Sequence, residues 1–179
     1  MVFVFLAPGF EEGEAICPID IMRRAGLDVV TVSITDDRDV EGAHGISIRS
    51  DVLLSQLPTC PPEAIVLPGG MPGTTNLQAC QELQERILQA DKEGAWICAI
   101  CAAPMILGGL GLLEGKKATC YPGFEDKLIG ATVGGRVKVD GNVITACAMG
   151  AANEFGLAIV EALKGSAEAE RIKKAILAR

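Results

Sequence analysis

The feature that most constrains this chain is a set of short, continuously apolar runs, each closed by a turn signal and followed by helical periodicity. Val2–Ala7, Ala64–Leu67 and Trp96–Ile100 contain no charged residue. They are too short for core helices and apolar on both faces, which is how strands of a parallel sheet covered on both sides read. Helical patterns separate them. One runs over Glu12–Ala25 and is closed by Gly26. Another covers Asn76–Lys92, with Leu77, Cys80, Leu83, Ile87 and Leu88 on one face and Asn76 as its cap. Strand, helix, strand in alternation is the βαβ signature. The chain of 179 residues is expected to form one α/β domain over 1–179, a mostly parallel sheet sandwiched by helices.

The remaining segments fill in that frame. Asp28–Ile34 reads as a second strand, and Val40–Ser50, turning at Gly42-Ala43-His44-Gly45, as a hairpin on the edge of the sheet. Ala102–Leu113 reads as a short helix rich in small residues, and Ala118–Tyr121 as a strand. Val137–Ala146 splits at Asp140-Gly141-Asn142, a hairpin turn, and two helices, Asn153–Leu163 and Ala167–Leu177, flank Gly165.

Composition excludes several partners. Lys+Arg 16 against Asp+Glu 23 gives a net charge of −7, and the basic residues are scattered. Nucleic acids and anionic membranes need clustered Lys and Arg. Aromatic residues make up 4%, too few for base-stacking platforms. The longest apolar stretch, Trp96–Leu113, is broken by Gly108, Gly109 and Gly111, so no membrane span is expected. The N-terminus lacks the basic segment of a signal peptide. Seven cysteines without framework spacing read as reduced thiols. A cytoplasmic location is the expectation.

In open parallel sheets, ligands bind outside the carboxyl ends of the strands. That rule selects three loops: 7–14, 68–73 and 100–104. In the third, a buried strand runs into Cys101 and turns at once into a helix with Ala102, Ala103 and Pro104 behind it. This is the pattern of a nucleophile elbow, and a helix start is expected to lower the thiol's pKa. Cys101 reads equally as a small buried hydrophobe, as most free cysteines do. Cys98, three residues earlier and inside the strand, reads as core. Cys60, Cys80, Cys120 and Cys147 carry no ligand spacing and default to packing.

Glu14 lies in the first turn of the first helix among small and apolar neighbours. Beside a thiolate its pKa would rise by like charge and burial, making it a proton shuttle near neutrality. Glu11 and Glu12 read as surface residues that complement the helix dipole. Leu67-Pro68-Gly69-Gly70 allows backbone N–H groups to approach an oxyanion, or is simply a turn that needs positive φ. Neither dinucleotide-binding nor P-loop glycine spacing occurs. His44, the single histidine, falls at the tip of the predicted hairpin, away from these loops, leaving no Cys–His dyad. No metal site and no cofactor motif are present in the sequence.

These three loops, in this order, resemble the ThiJ/PfpI superfamily, in the branch of the human Parkinson-disease protein deglycase and its bacterial homologues. The likeness covers essentially the whole chain. It rests on Glu11-Glu12-Gly13-Glu14 with Pro18-Ile19-Asp20-Ile21-Met22-Arg23-Arg24-Ala25-Gly26, on Leu67-Pro68-Gly69-Gly70 and on Ala99-Ile100-Cys101-Ala102-Ala103-Pro104. Asp126-Lys127 and Glu154-Phe155-Gly156-Leu157-Ala158-Ile159-Val160-Glu161-Ala162-Leu163 complete it. The resemblance implies a flavodoxin-like three-layer sandwich that forms a homodimer, partly through its first helix. It implies that Cys101 is the reactive, easily oxidised cysteine and Glu14 the protonated glutamate bonded to it. Gly70 and Ala102 would be the backbone donors, with Gly69 and Tyr121 in the substrate pocket. The implied activity is that of a glyoxalase or deglycase that uses no cofactor and acts on small aldehydes or glycated adducts. The alternative is a redox sensor or stress chaperone working through Cys101 oxidation.

Two departures stand out. Tyr121-Pro122 replaces the His-Pro of many members, and an ordinary phenol is too weak an acid to shuttle protons at neutral pH. Ala148-Met149 stands where many carry Gly-Pro. The residue after the cysteine is Ala102, where the peptidase branch has histidine, so proteolysis is not expected.

Overall fold

The computed structural model describes residues 1–58 and 60–178. A seven-stranded sheet forms the middle layer. In chain order its members are β1 (Val2–Leu6), β2 (Val29–Ser33), β5 (Val52–Leu53), β6 (Ala64–Leu67), β7 (Trp96–Ile100), β10 (Val137–Asp140) and β11 (Val143–Ala146). They are arranged β10-β11-β7-β6-β1-β2-β5. Every pairing in it is parallel except β10 with β11, the hairpin predicted at Asp140-Gly141-Asn142. Two small sheets stand apart from it: β3 (Asp39–Glu41) with β4 (Ser47–Arg49), and β8 (Lys117–Ala118) with β9 (Thr132–Val133).

The side-chain alternation of a strand sends successive residues to opposite faces, and each face buries its own core. Val2, Val4 and Leu6 join a cluster with α1 (Glu12–Arg24), α5 (Ala152–Lys164) and α6 (Ser166–Ala175), where Ile19, Met22, Phe155, Ile159 and Ile172 are buried. Phe3, Phe5 and Ala7 join the opposite cluster. It holds Leu77 of α2 (Gly73–Ala79), Leu83 and Ile87 of α3 (Gln81–Lys92), and Ile106 and Leu107 of α4 (Pro104–Gly109). This is the expected sandwich, with helices on both faces of a mostly parallel sheet. From β1 the chain builds outward to β2 on one side and through β6, β7 and β11 on the other. The reversal falls between β1 and β6, and the loops leaving β1, β6 and β7 meet there, as the rule for such sheets requires.

Four segments differ from the sequence-based expectation. The helix expected over 76–92 begins at Gly73 and is interrupted at Cys80, whose extended backbone (ψ 100°) ends α2 and starts α3. Asn76 caps nothing: it lies inside α2, and its amide donates to the Pro8 carbonyl at 2.8 Å. The helix expected over 102–113 is confined to Pro104–Gly109 because glycines cluster behind it, Gly111 with φ +75°. The strand expected over 118–121 is only Lys117–Ala118, and it pairs with β9 instead of the main sheet.

The fourth difference bears on the site. The β3–β4 hairpin forms at the expected residues but not on the sheet edge, which is taken by β5. It folds over the start of α1 instead. Gly9 N–H donates to Glu41 O (2.8 Å) and Ala43 N–H to Phe10 O (2.8 Å). The latch is Glu12, read from the sequence as a surface residue but only 5% exposed. Its carboxylate accepts from the His44 N–H (2.7 Å) and the Ile46 N–H (3.4 Å), and contacts His44 Nδ1 at 2.7 Å. Burial pushes the Glu12 pKa up, but these bonds outweigh it and hold the group at about 2.

Because the folded value lies below the ordinary carboxylate range, this latch stabilises the protein fully above that range and is lost as pH falls through about 2. At neutral pH, Glu12→Gln removes the charge and should speed amide exchange at Ala43, His44 and Ile46 while leaving Ile87, deep in the other core, unchanged. Equal protection of the tip in both proteins would show that the hairpin does not hang on Glu12.

Candidate active site

Three loops place the functional groups. Leaving β1, the chain turns at Pro8-Gly9, and the Glu11 side chain caps α1 by accepting from the Glu14 N–H at 2.6 Å. This cap sets the first turn of the helix, and Glu14 in that turn points inward, 1% exposed. Leaving β6, the Gly69 N–H donates to Glu14 Oε2 at 3.0 Å, and the Gly69 carbonyl accepts from the Glu11 N–H at 2.9 Å. Gly69 is thus tied to both Glu11 and Glu14. A Cβ at Gly69 would come within 2.6 Å of both Cys101 Cβ and Glu14 Oε2, so only glycine permits this approach. Gly70 follows in the left-handed region, φ +91°.

Leaving β7, Cys101 adopts φ +65°, a left-handed conformation that a side-chain-bearing residue takes at a cost of about 1–3 kcal/mol. Its backbone is fixed on both sides. The Cys101 N–H donates to Ala146 O of β11 (2.9 Å), and its carbonyl accepts from the Tyr121 N–H (2.8 Å). The elbow predicted from Ala99-Ile100-Cys101-Ala102-Ala103-Pro104 is therefore present, with its sulfur partly exposed.

The thiol meets Glu14. The Cys101 and Glu14 side chains are hydrogen-bonded, and the backbone N–H groups of Ala102 and Gly70 donate toward the sulfur. Burial, with help from the nearby Glu11 charge, raises the Glu14 pKa to about 7, against the lowering effect of bonds from Cys101, Gly69 and Met149. Burial and the Glu14 charge push the Cys101 thiol up to about 12, against the two backbone N–H groups. This reverses the expected lowering of the thiol. The helix behind Cys101 starts only at Pro104 and has six residues, so its dipole is weak, whereas the carboxyl is in direct contact. Between about 7 and about 12 the pair carries one negative charge and one proton. Carboxylate with thiol, and carboxylic acid with thiolate, differ by one proton moved along one hydrogen bond.

Of the residues singled out in the sequence, Cys101, Glu14, Gly69, Gly70 and Ala102 converge on one point. Tyr121 joins them through its backbone. Its side chain, 48% exposed, lines an adjoining groove of about 510 Å³ with Thr119, Pro122, Gly135 and Cys147. His44 is not remote from the loops, as its hairpin position suggested, but it is committed to Glu12. Sequence reasoning missed two contributors. Glu11 is the cap, for which the acid three residues before Glu14 was a legible capping signal. Met149 N–H faces Glu14; the sequence marked Ala148-Met149 only as a departure from the family pattern, not as a contact of Glu14. Among the described residues one cluster has ligand atoms close enough for a metal, Glu11, Glu12 and His44. Those of Glu12 and His44 are spent on each other.

Comparison with known proteins places the fold in a family. The model of the DJ-1/PfpI family matches residues 1–162. Protein DJ-1 homolog B of Arabidopsis thaliana is 39% identical over 99% of this chain, which spans 41% of that relative's length. Glutathione-independent glyoxalase DJR-1.2 of Caenorhabditis elegans is 34% identical over 92% of this chain and 88% of its own length. Among solved structures, oxidized DJ-1 of Toxoplasma gondii superposes with a TM-score of 0.93 at 35% identity, covering 98% of this chain and 97% of that one. No helix among the described residues is long and apolar enough to cross a membrane. With a family model over nine-tenths of its length, and relatives above 30% identity that share its layered sheet, this chain belongs to the DJ-1/PfpI family, in the DJ-1 branch.

Proposed function

We propose that the chain is a cofactor-independent cysteine enzyme acting on small α-oxoaldehydes such as methylglyoxal, and on glycated adducts that present the same carbon skeleton. The observation that carries this reading is the hydrogen-bonded Cys101–Glu14 pair, whose carboxyl titrates at about 7 beneath a thiol on a strained elbow. The C. elegans relative's name, a glutathione-independent glyoxalase, supports it.

The chemistry follows from the pair. Glu14 carboxylate takes the Cys101 proton as the sulfur adds to the aldehyde carbon, giving a hemithioacetal. Backbone N–H groups of Gly70 and Ala102 stabilise the oxyanion as it forms. Glu14 returns its proton to that oxyanion. Again a carboxylate, it takes the proton from the former aldehyde carbon and delivers it to the neighbouring ketone carbon while the hydroxyl proton passes to the ketone oxygen, leaving a thioester on Cys101. Water cleaves the thioester, releasing lactate and restoring the thiol, so methylglyoxal and water are consumed and lactate is formed. The groove beside Tyr121 gives larger adducts room. Assembly as a homodimer through α1 belongs to the same reading, since Ile16 lies exposed on that helix and an open groove beside it is lined by Ile16, Ile21 and Leu177.

A second reading, a sensor in which Cys101 is oxidised to the sulfinate and held by Glu14, draws on the partly exposed sulfur and the oxidized state of the Toxoplasma gondii structure. The two separate on turnover.

Without glutathione, wild type should form lactate from methylglyoxal, Cys101→Ala none, and Glu14→Gln at a kcat lower by about a hundredfold or more, the usual scale for losing a positioned base. Wild-type rates in either variant would overturn the enzyme reading. No turnover in any of the three proteins would favour the sensor.

Alkylation of Cys101 by iodoacetamide should rise with pH around the Glu14 value of about 7. Above it the carboxylate can accept the thiol proton. In Glu14→Gln that inflection should vanish and the rate should climb only toward an ordinary thiol range of about 8.5 or above. Identical profiles would mean that the carboxyl does not govern the sulfur.

A further inference from the structure

A second thiol stands beside the elbow. Ala146 of β11 lies opposite Ile100 of β7 in parallel register, and the Cys101 N–H extends that ladder to the Ala146 carbonyl at 2.9 Å. Cys101 and Cys147 are therefore the residues that follow the last paired positions of two adjacent strands. Neighbouring strands run about 5 Å apart, and cysteines with Cα atoms about 4.4–6.8 Å apart can be bridged. Both residues pack against the same core cluster, on the α1 and α5 side of the sheet, and both are partly exposed.

The other cysteines are placed less well. Cys98 is buried within β7. Cys120 shares the groove with Cys147 but is buried against the opposite cluster, and burial pushes its thiol up to about 11.

The surroundings of Cys147 suit a reactive thiol. Its N–H donates to the Arg136 carbonyl at 2.8 Å. The Arg136 guanidinium, paired with Glu154 at 2.9 Å, is also close enough to feel the Cys147 charge. The thiolate is the form of a cysteine that attacks oxidised sulfur. The groove of about 510 Å³ that Cys147 lines gives a peroxide or a reductant access.

We propose that Cys147 is the resolving cysteine for Cys101, closing an intramolecular disulfide once a peroxide has oxidised Cys101 to the sulfenic acid. In the first step the Cys101 thiolate attacks the peroxide. An S–O bond forms, the O–O bond breaks, and sulfur loses two electrons as the peroxide becomes water or an alcohol. In the second, the Cys147 thiolate attacks Cys101 Sγ. The S–S bond forms, the S–O bond breaks, and the oxygen leaves as hydroxide, taking a proton to become water. A dithiol reductant returns both thiols. The disulfide competes with a second peroxide that would carry Cys101 on to the sulfinate, a state that is not generally reversible. This step needs a reactive Cys101 but no aldehyde turnover, so it stands apart from the glyoxalase reading.

The test is intact-mass analysis and non-reducing peptide mapping of the whole chain after two or more equivalents of hydrogen peroxide per chain. Wild type should lose two hydrogens before it gains oxygen, and a Cys101–Cys147 linked peptide should appear that dithiothreitol removes. Cys147→Ser and Cys147→Ala should instead gain two oxygens at Cys101 at the same peroxide dose. Cys120→Ser should behave as wild type. A linked peptide joining Cys101 to another cysteine, a link between two copies of the chain, or equal sulfinate formation with and without Cys147 would overturn the proposal.

Discussion

One contact organises the site: a carboxyl with 1% exposure set against a partly exposed thiol. Two acids so placed cannot both be charged, so the pair holds a single proton across the neutral range. The neighbouring residues then act as fixtures of that pair. Glu11 sets the turn of α1 from which Glu14 enters, and Gly69 supplies an N–H where a side chain would collide. Gly70 and Ala102 place donors on the sulfur side. The fixtures come from three different strand ends, which is why the site exists only in the folded sheet.

The elbow shows how such a site is kept rigid. A left-handed Cys101 is unfavourable in isolation, but its N–H and carbonyl are both bonded, to β11 and to the segment before Pro122. The surrounding ladder over-determines the backbone, so the strain is held in place and the sulfur cannot relax away from Glu14. The same ladder brings Cys147 alongside. The geometry of the proposed catalytic cysteine and the proposed redox pairing thus share one origin, the in-register ends of β7 and β11.

Much of this was legible in the sequence, for physical reasons. Strands buried on both faces leave uninterrupted apolar runs, so β1, β6 and β7 could be read directly, and their loops followed from the topology. Cys101 and Glu14 were legible because each sits where a parallel sheet presents its ligands. What escaped depended on long-range contacts. The break at Cys80 accompanies packing of α2 over the first loop, where Asn76 reaches Pro8. The placement of the hairpin depends on Glu12, thirty-two residues from His44. The thiol's direction of shift was misjudged because a local rule, the helix dipole, was weighed without the carboxyl that burial brings into contact. Cys147 does pack against the core, as its sequence suggests, but its closeness to Cys101 in strand register is not visible in the sequence.

The absence of a histidine from the pair has a consequence for how this chemistry is sustained. An unperturbed imidazole titrates near neutrality, but a carboxyl reaches about 7 only while it is kept dry. With His44 bound to Glu12 and Tyr121 in the other position open to such a role, proton transfer in the proposed reaction falls to Glu14 alone. Its strength as a base is then a property of packing: of the cap at Glu11, the glycine at 69 and the Met149 segment that closes over it. Loosening any of these would admit water and let the carboxyl fall back toward its ordinary range. Glu14 would then be too weak a base for a thiol that still resists ionisation. In this protein the integrity of the first-loop packing and the reactivity of Cys101 are therefore one quantity, set at the junction of three strand ends.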